Sequence, residues 1–147
     1  WDSGYYYLIA YDEAVSRLTH YRVDKMLHIR MSTEAREGKE HFKQLDMADY
    51  AKKSFGMFGG KEKTVKLLVD NRLAGVIIDR FGKDIMLIPA DENHFTVNVD
   101  VHVSKQFLGW VFSLGEQVKI LSPEEVVEQM QGEVKRLVEQ YDSRVKV

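Results

Sequence analysis

Seven residues, Tyr5-Tyr6-Tyr7-Leu8-Ile9-Ala10-Tyr11, carry four rings, and nine positions after Tyr11 begins His20-Tyr21-Arg22-Val23-Asp24-Lys25-Met26. The first run has the aromatic and branched content of a strand. The second alternates cationic and apolar side chains, as a strand with two unlike faces does. Side by side, they would set stacking rings next to fixed positive charge. Such a surface suits a flat-ringed anion, either a nucleotide or a single-stranded nucleic acid. It holds no activated nucleophile and no carboxylate pair, so a sensor or binding domain is expected here, not an enzyme. The candidate contact residues are Tyr5, Tyr7, Arg17, His20, Tyr21, Arg22 and Lys25.

Strand period places His20, Arg22 and Asp24 on one face and Tyr21, Val23 and Lys25 on the other. Arg22 and Lys25 therefore point apart in a regular strand, and one of them is expected to be structural. Arg22 could meet a phosphate or pair with Asp24 or Asp12. His20 shares its face and could bond a phosphate or a base, or stay idle in solvent. Tyr5 and Tyr7 share a face opposite Tyr6 and Leu8. In a small barrel one of those faces is core, so about half of these rings are packing residues.

Composition narrows the class. At 147 residues, 44% hydrophobic and 30% charged, the chain can fold as one soluble domain or as two small ones. A net charge of −2 excludes a general polyanion binder. Residues 1–73 hold 13 Lys/Arg against 11 Asp/Glu, and residues 74–147 hold 8 against 12, so an anion site belongs in the first half. The absence of cysteine excludes disulfides and thiolate chemistry and fits a reducing cytoplasm. No apolar run reaches the roughly 18 residues of a membrane span, and no export leader is visible. The chain opens at Trp1, nearly in strand sequence, and is expected to be a fragment of something longer.

The elements that must position these residues can be read in order. A strand over Tyr5–Tyr11, a polar turn at Asp12–Ser16 and a strand over Leu18–Ile29 form a hairpin. A solvated charged stretch follows. Asp46–Phe55 reads as a short amphipathic helix ended by Gly56, Gly59 and Gly60. Then come a strand at Thr64–Val69, a helix at Asn71–Phe81 stopped by Gly82, and a strand at Asp84–Ala90. His94–Val103 is the clearest strand, with Phe95, Val97, Val99, Val101 and Val103 alternating with polar residues. Ser104 caps a helix running through Leu114. Glu116–Leu121 is a strand, and Ser122-Pro123-Glu124-Glu125 starts a final helix as a capping box with proline at its first position.

The order β-α-β-β-α-β-α is that of a ferredoxin-like βαββαβ sandwich with an added C-terminal helix, so the fold class is α+β. Val127, Met130, Val134, Leu137 and Tyr141 form a stripe on the last helix. It could be a dimer seam, but packing on the protein's own sheet is the favoured expectation.

Two sharper readings fail on spacing. Gly56-Met57-Phe58-Gly59-Gly60-Lys61 invites a phosphate-loop assignment, but that motif needs glycine at 55 and Ser/Thr at 62, where Phe55 and Glu62 stand. A flexible linker is expected instead. His20, His28, His41, His94 and His102 show no i, i+4 helical pair, so no metal site and no cofactor is implied. Trp110, with Phe107, Val111 and Leu114, is expected to be core.

The chain resembles the WYL-domain family of bacterial transcriptional regulators. Tyr6-Tyr7-Leu8 stands where the family has aromatic-Tyr-Leu, and Tyr21-Arg22-Val23-Asp24-Lys25-Met26 stands where it has Phe-Arg-Leu-Asp-Arg-Ile. Gly109-Trp110-Val111, Leu114-Gly115 and Ser122-Pro123-Glu124-Glu125 resemble its C-terminal extension. Tyr6 replaces the usual Trp, Thr19 stands where a basic residue is common, and Lys25 keeps charge but loses the guanidinium fork.

The resemblance implies that residues 1–45 end an Sm-like (SH3-like) β-barrel, that 46–62 link, and that 63–147 are the extension domain. It also implies an upstream winged helix-turn-helix that reads DNA. The expected function is effector sensing and oligomerisation in a cytoplasmic transcription regulator, with a nucleotide or single-stranded nucleic acid as effector and a homodimer as assembly. The alternatives are a structural dimerisation unit without ligand, or a small-metabolite sensor in the ferredoxin-like half.

Overall fold

The computed structural model describes residues 1–2, 4–43 and 45–142. Strand β1 (Tyr7–Asp12) pairs antiparallel with β2 (Arg17–Arg22), with Tyr7 opposite Arg22 and Asp12 opposite Arg17. Helix α1 (Met47–Lys53) follows. Strand β3 (Lys61–Asp70), helix α2 (Ala74–Phe81), the two-residue strand β4 (Ile88–Pro89), β5 (His94–Val103), α3 (Lys105–Ser113), β6 (Val118–Ser122) and α4 (Glu124–Asp142) complete the chain. The larger sheet is antiparallel in the order β4-β5-β3-β6, so β3 and β5 form its centre.

Sequence alternation builds the core. Val65, Leu67 and Val69 of β3 and Phe95, Val97, Val99 and Val101 of β5 all face inward. They pack on Ile77 of α2, Phe107, Leu108 and Val111 of α3, Val118 and Ile120 of β6, and Val126 of α4. Local signals set the ends. Ser104 Oγ accepts from the Phe107 N–H at 3.2 Å and starts α3, as its sequence predicts. The Asp46 carboxylate accepts from the N–H groups of Ala48 and Asp49 and starts α1. Its charge is held below the usual carboxylate range by those backbone bonds.

Several predicted boundaries move, each for a visible reason. The first strand starts at Tyr7 because Tyr5 is held in a tight turn, exchanging two 2.9 Å backbone bonds with Asp2. The second ends at Arg22 instead of Ile29. Its partner strand has run out, and Val23–Lys25 close into a 3-10 turn with the Met26 N–H donating to the Val23 carbonyl. The predicted strand over Asp84–Ala90 shrinks to Ile88–Pro89, an edge pairing where proline has no N–H to extend the ladder. The final helix begins at Glu124, one residue past Pro123.

The segment 46–60 differs most from expectation. Phe55 is only 6% exposed and joins the core. Its ring lies 5.3 Å from Phe107, 5.4 Å from Trp110 and 6.4 Å from Phe81, centroid to centroid. Arg80 of α2 covers it at 4.0 Å and donates from Nη2 to the Ser54 carbonyl at 2.8 Å. Burial lowers the Arg80 pKa. His102, on the polar-alternating face of β5, is 5% exposed, because Tyr50 and Ser54 cover it. Residues 46–60 are therefore anchored on the larger sheet and its helices. Among the described residues, no helix is long and apolar enough to cross a membrane.

Candidate functional site

Four of the seven predicted contact residues converge. Tyr7, Arg17, His20 and Arg22 line one wall of a groove of about 480 Å³. Gly56, Met57, Phe58 and Gly59 line it from the segment after α1 and form a second wall. The period of β2 brings His20 and Arg22 to the groove and leaves Tyr21 outside it, whereas Arg17, of the opposite parity, reaches it from the first position of the strand. Tyr21 instead donates its hydroxyl to Asp12 Oδ2 at 2.8 Å, which raises its pKa.

The second wall is a tight turn. The Phe58 N–H donates to the Phe55 carbonyl at 3.1 Å, and Gly56 and Met57 sit at φ +58° and +56°. Two consecutive positive φ values are those of a type I′ turn. Glycine takes this conformation freely, whereas Met57 is strained in it, a feature that concentrates at binding and catalytic sites. Gly59 passes over His20, where a Cβ would lie 3.6 Å from Cε1.

The cations differ in readiness. Arg22 holds Asp24 through both fork positions, Nε–Oδ1 at 3.0 Å and Nη2–Oδ2 at 2.7 Å. Its guanidinium also lies 3.5 Å from the Tyr5 ring centroid. The Asp24 bonds raise the Arg22 pKa, and the same bonds lower that of Asp24. Tyr5 thus supports Arg22 and does not line the groove. Arg17 is exposed and, among the described residues, has no ion pair, which leaves it the less committed charge. Lys25 is exposed on the 3-10 turn and lies outside the groove.

His20 is held toward its neutral form. Burial and the nearby His102 push its pKa down, and its Nε2 is buried without a hydrogen-bond partner. Behind it, Tyr50 sits between two histidines, 5.5 Å from His20 and 4.6 Å from His102. Ser54 Oγ donates to the Tyr50 carbonyl at 3.0 Å and lies 2.8 Å from His102 Nδ1. A hydroxyl has one proton, so Nδ1–H of His102 is the donor in that second bond. The stack ties β2 through α1 to β5.

A larger hollow of about 860 Å³ lies along β1, and Tyr7 and Met57 border both spaces. Among the described residues, no group of three or more His, Cys, Asp or Glu is placed to hold a metal ion. The 56–59 wall was missed in the sequence, where the same glycines read as a linker. Its one legible signal was the pair of phenylalanines flanking a Gly-Met centre.

No curated protein matches the chain. A family comparison does match: residues 61–138, from the first residue of β3 into α4, fit the WCX domain. That span is 78 of the 147 residues and contains every strand of the larger sheet. The chain belongs to the WCX domain family and is the C-terminal portion of a WYL-type regulator.

Proposed function

We propose that this portion senses an anionic effector, a nucleotide or single-stranded nucleic acid, for a cytoplasmic bacterial DNA-binding regulator, and that it binds without catalysing. The observation that carries the reading is the convergence of Tyr7, Arg17, His20 and Arg22 on one groove. Rings and cations in one groove suit stacked bases and phosphates together. The hairpin is read as the end of an Sm-like barrel. The strand order β4-β5-β3-β6 supports a ferredoxin-like sandwich for the remainder. DNA would be read by a helix-turn-helix elsewhere in the regulator.

A second copy of the chain is the proposed partner, supported by α4. Val126 is buried in the core, but further along the helix Val138 is 61% exposed and Tyr141 81%. An apolar stripe running off the core suits a helix–helix seam.

Fluorescence anisotropy with a labelled single-stranded oligonucleotide at two salt concentrations tests the effector reading. Two phosphate contacts, from Arg17 and from Arg22 once it exchanges Asp24 for the ligand, predict log K falling with log salt at a slope of about −1.4. Arg17→Gln should reduce that slope by about half. Absence of salt-sensitive binding would overturn the reading.

A further inference from the structure

We infer that Phe58 is the stacking platform of the groove, the surface on which a base of the ligand lies. This rests on the groove being the effector site and names the part of it that selects a base-bearing anion over a simple one. The turn Phe55–Phe58 treats its two rings oppositely. Phe55 is buried at 6% exposure, whereas Phe58, held three residues away by their backbone bond, is 53% exposed and lines the groove. One ring fixes the turn, and the other stands in the opening.

The other rings are less available. Tyr5 has a face under the Arg22 guanidinium, and Tyr21 is outside the groove with its hydroxyl on Asp12. Tyr7 is only half-buried but shares its surface with the second hollow. Phe58 is the lining ring with the most free area. It lines, together with Arg17 and Arg22, a space of about 480 Å³, within the usual range for a small-molecule site.

The platform is also stiff. Phe55 sits against Phe107 and Trp110, Arg80 holds the Ser54 carbonyl, and the strained Met57 is fixed between. A ring on such a support is ordered before the ligand arrives, so little entropy is lost on stacking. A phenyl face accepts any base, which predicts affinity for single-stranded segments with little sequence preference.

Four proteins and two probes test this by anisotropy: the unmodified chain, Phe58→Leu, Phe58→Tyr and Arg17→Gln, each with a labelled oligothymidine and with an abasic oligodeoxynucleotide of equal length. Phe58→Leu keeps an apolar side chain without a π face. It should weaken oligothymidine binding about 5- to 100-fold, leave the salt slope unchanged and leave the abasic probe unaffected. Phe58→Tyr should bind as the unmodified chain does.

If Phe58→Leu binds oligothymidine normally while Arg17→Gln weakens it, the platform is wrong and the groove reading survives. Equal loss on both probes marks a shape effect and overturns the platform as well. If the unmodified chain binds neither probe, both the groove reading and the platform fall.

Discussion

Phe55→Ala is the substitution that separates an anchored turn from a flexible linker. In a linker, truncating an exposed ring changes stability by roughly 0.5 kcal/mol or less. Here the ring is 6% exposed, with three aromatic neighbours at 5.3–6.4 Å and Arg80 at 4.0 Å. Buried Phe→Ala changes cost about 3–5 kcal/mol, from lost transfer energy plus the cavity left behind. Arg80 also loses the ring beneath its partly desolvated charge, which argues for the upper part of that range. About 4 kcal/mol is a large share of the 5–15 kcal/mol that holds a typical domain together. With a urea m-value of about 2 kcal/mol/M, the unfolding midpoint should fall by about 2 M. Trp110, 5.4 Å from Phe55, gives the fluorescence signal. A midpoint within about 0.5 M of the unmodified chain, at equal m, would refute the reasoning and return residues 46–60 to a linker.

A Cβ at Gly60 would collide with the Val103 carbonyl, so Gly60→Ala should cost about 1–3 kcal/mol and lower Tm by several degrees in calorimetry. Burial holds the His102 pKa below the ordinary imidazole value. Hence the unfolded chain takes up the proton first: the stability is complete above about pH 6.5 and is lost as pH falls toward the folded value, by at most about 1.4 kcal/mol per pH unit. His102→Gln should flatten the pH dependence of urea stability in that window, and an unchanged slope would count against a neutral buried ring. Val138→Lys should lower the mass measured by light scattering if α4 is the seam between copies, while far-UV circular dichroism stays unchanged because Val138 is exposed in the single chain.

How much of this was legible depends on how local each cause is. The valines of His94–Val103 alternate because β5 has one buried face, and that pattern is written within ten residues. The Ser104 cap is equally local. The length of β2 was not legible, because the strand ends opposite Tyr7, where β1 begins, and not where its own alternation stops. His102 sits at a polar-alternating position, and nothing nearby in sequence announces that Tyr50 and Ser54 will cover it. Phe55 lies in a glycine-rich segment whose composition signals a break, while its burial depends on Phe107, more than fifty positions later. The site divides the same way: strand period brought His20 and Arg22 to one face, but the wall facing them depended on that distant anchor.

The two walls of the groove have different supports, and this bounds what a ligand there can do. Gly56–Gly59 is fixed through Phe55 and Ser54 to α2 and α3, while β2 is linked to β5 through the His20–Tyr50–His102 stack. On the proposed reading, a base stacked on Phe58 with its phosphate at Arg17 is bound in full only when the walls stand opposite each other. The stack is worth about 1–3 kcal/mol, and that differential is what can shift a population between two arrangements. Moving an equilibrium from 1:99 to 99:1 takes about 5.5 kcal/mol. One groove therefore gives a graded response. Two grooves in a symmetric dimer, each filled and moving together, would supply about 2–6 kcal/mol and approach a switch. On that reading, effector sensing through Phe58 and self-association through α4 are coupled: a chain that stays monomeric should respond to its ligand only gradually.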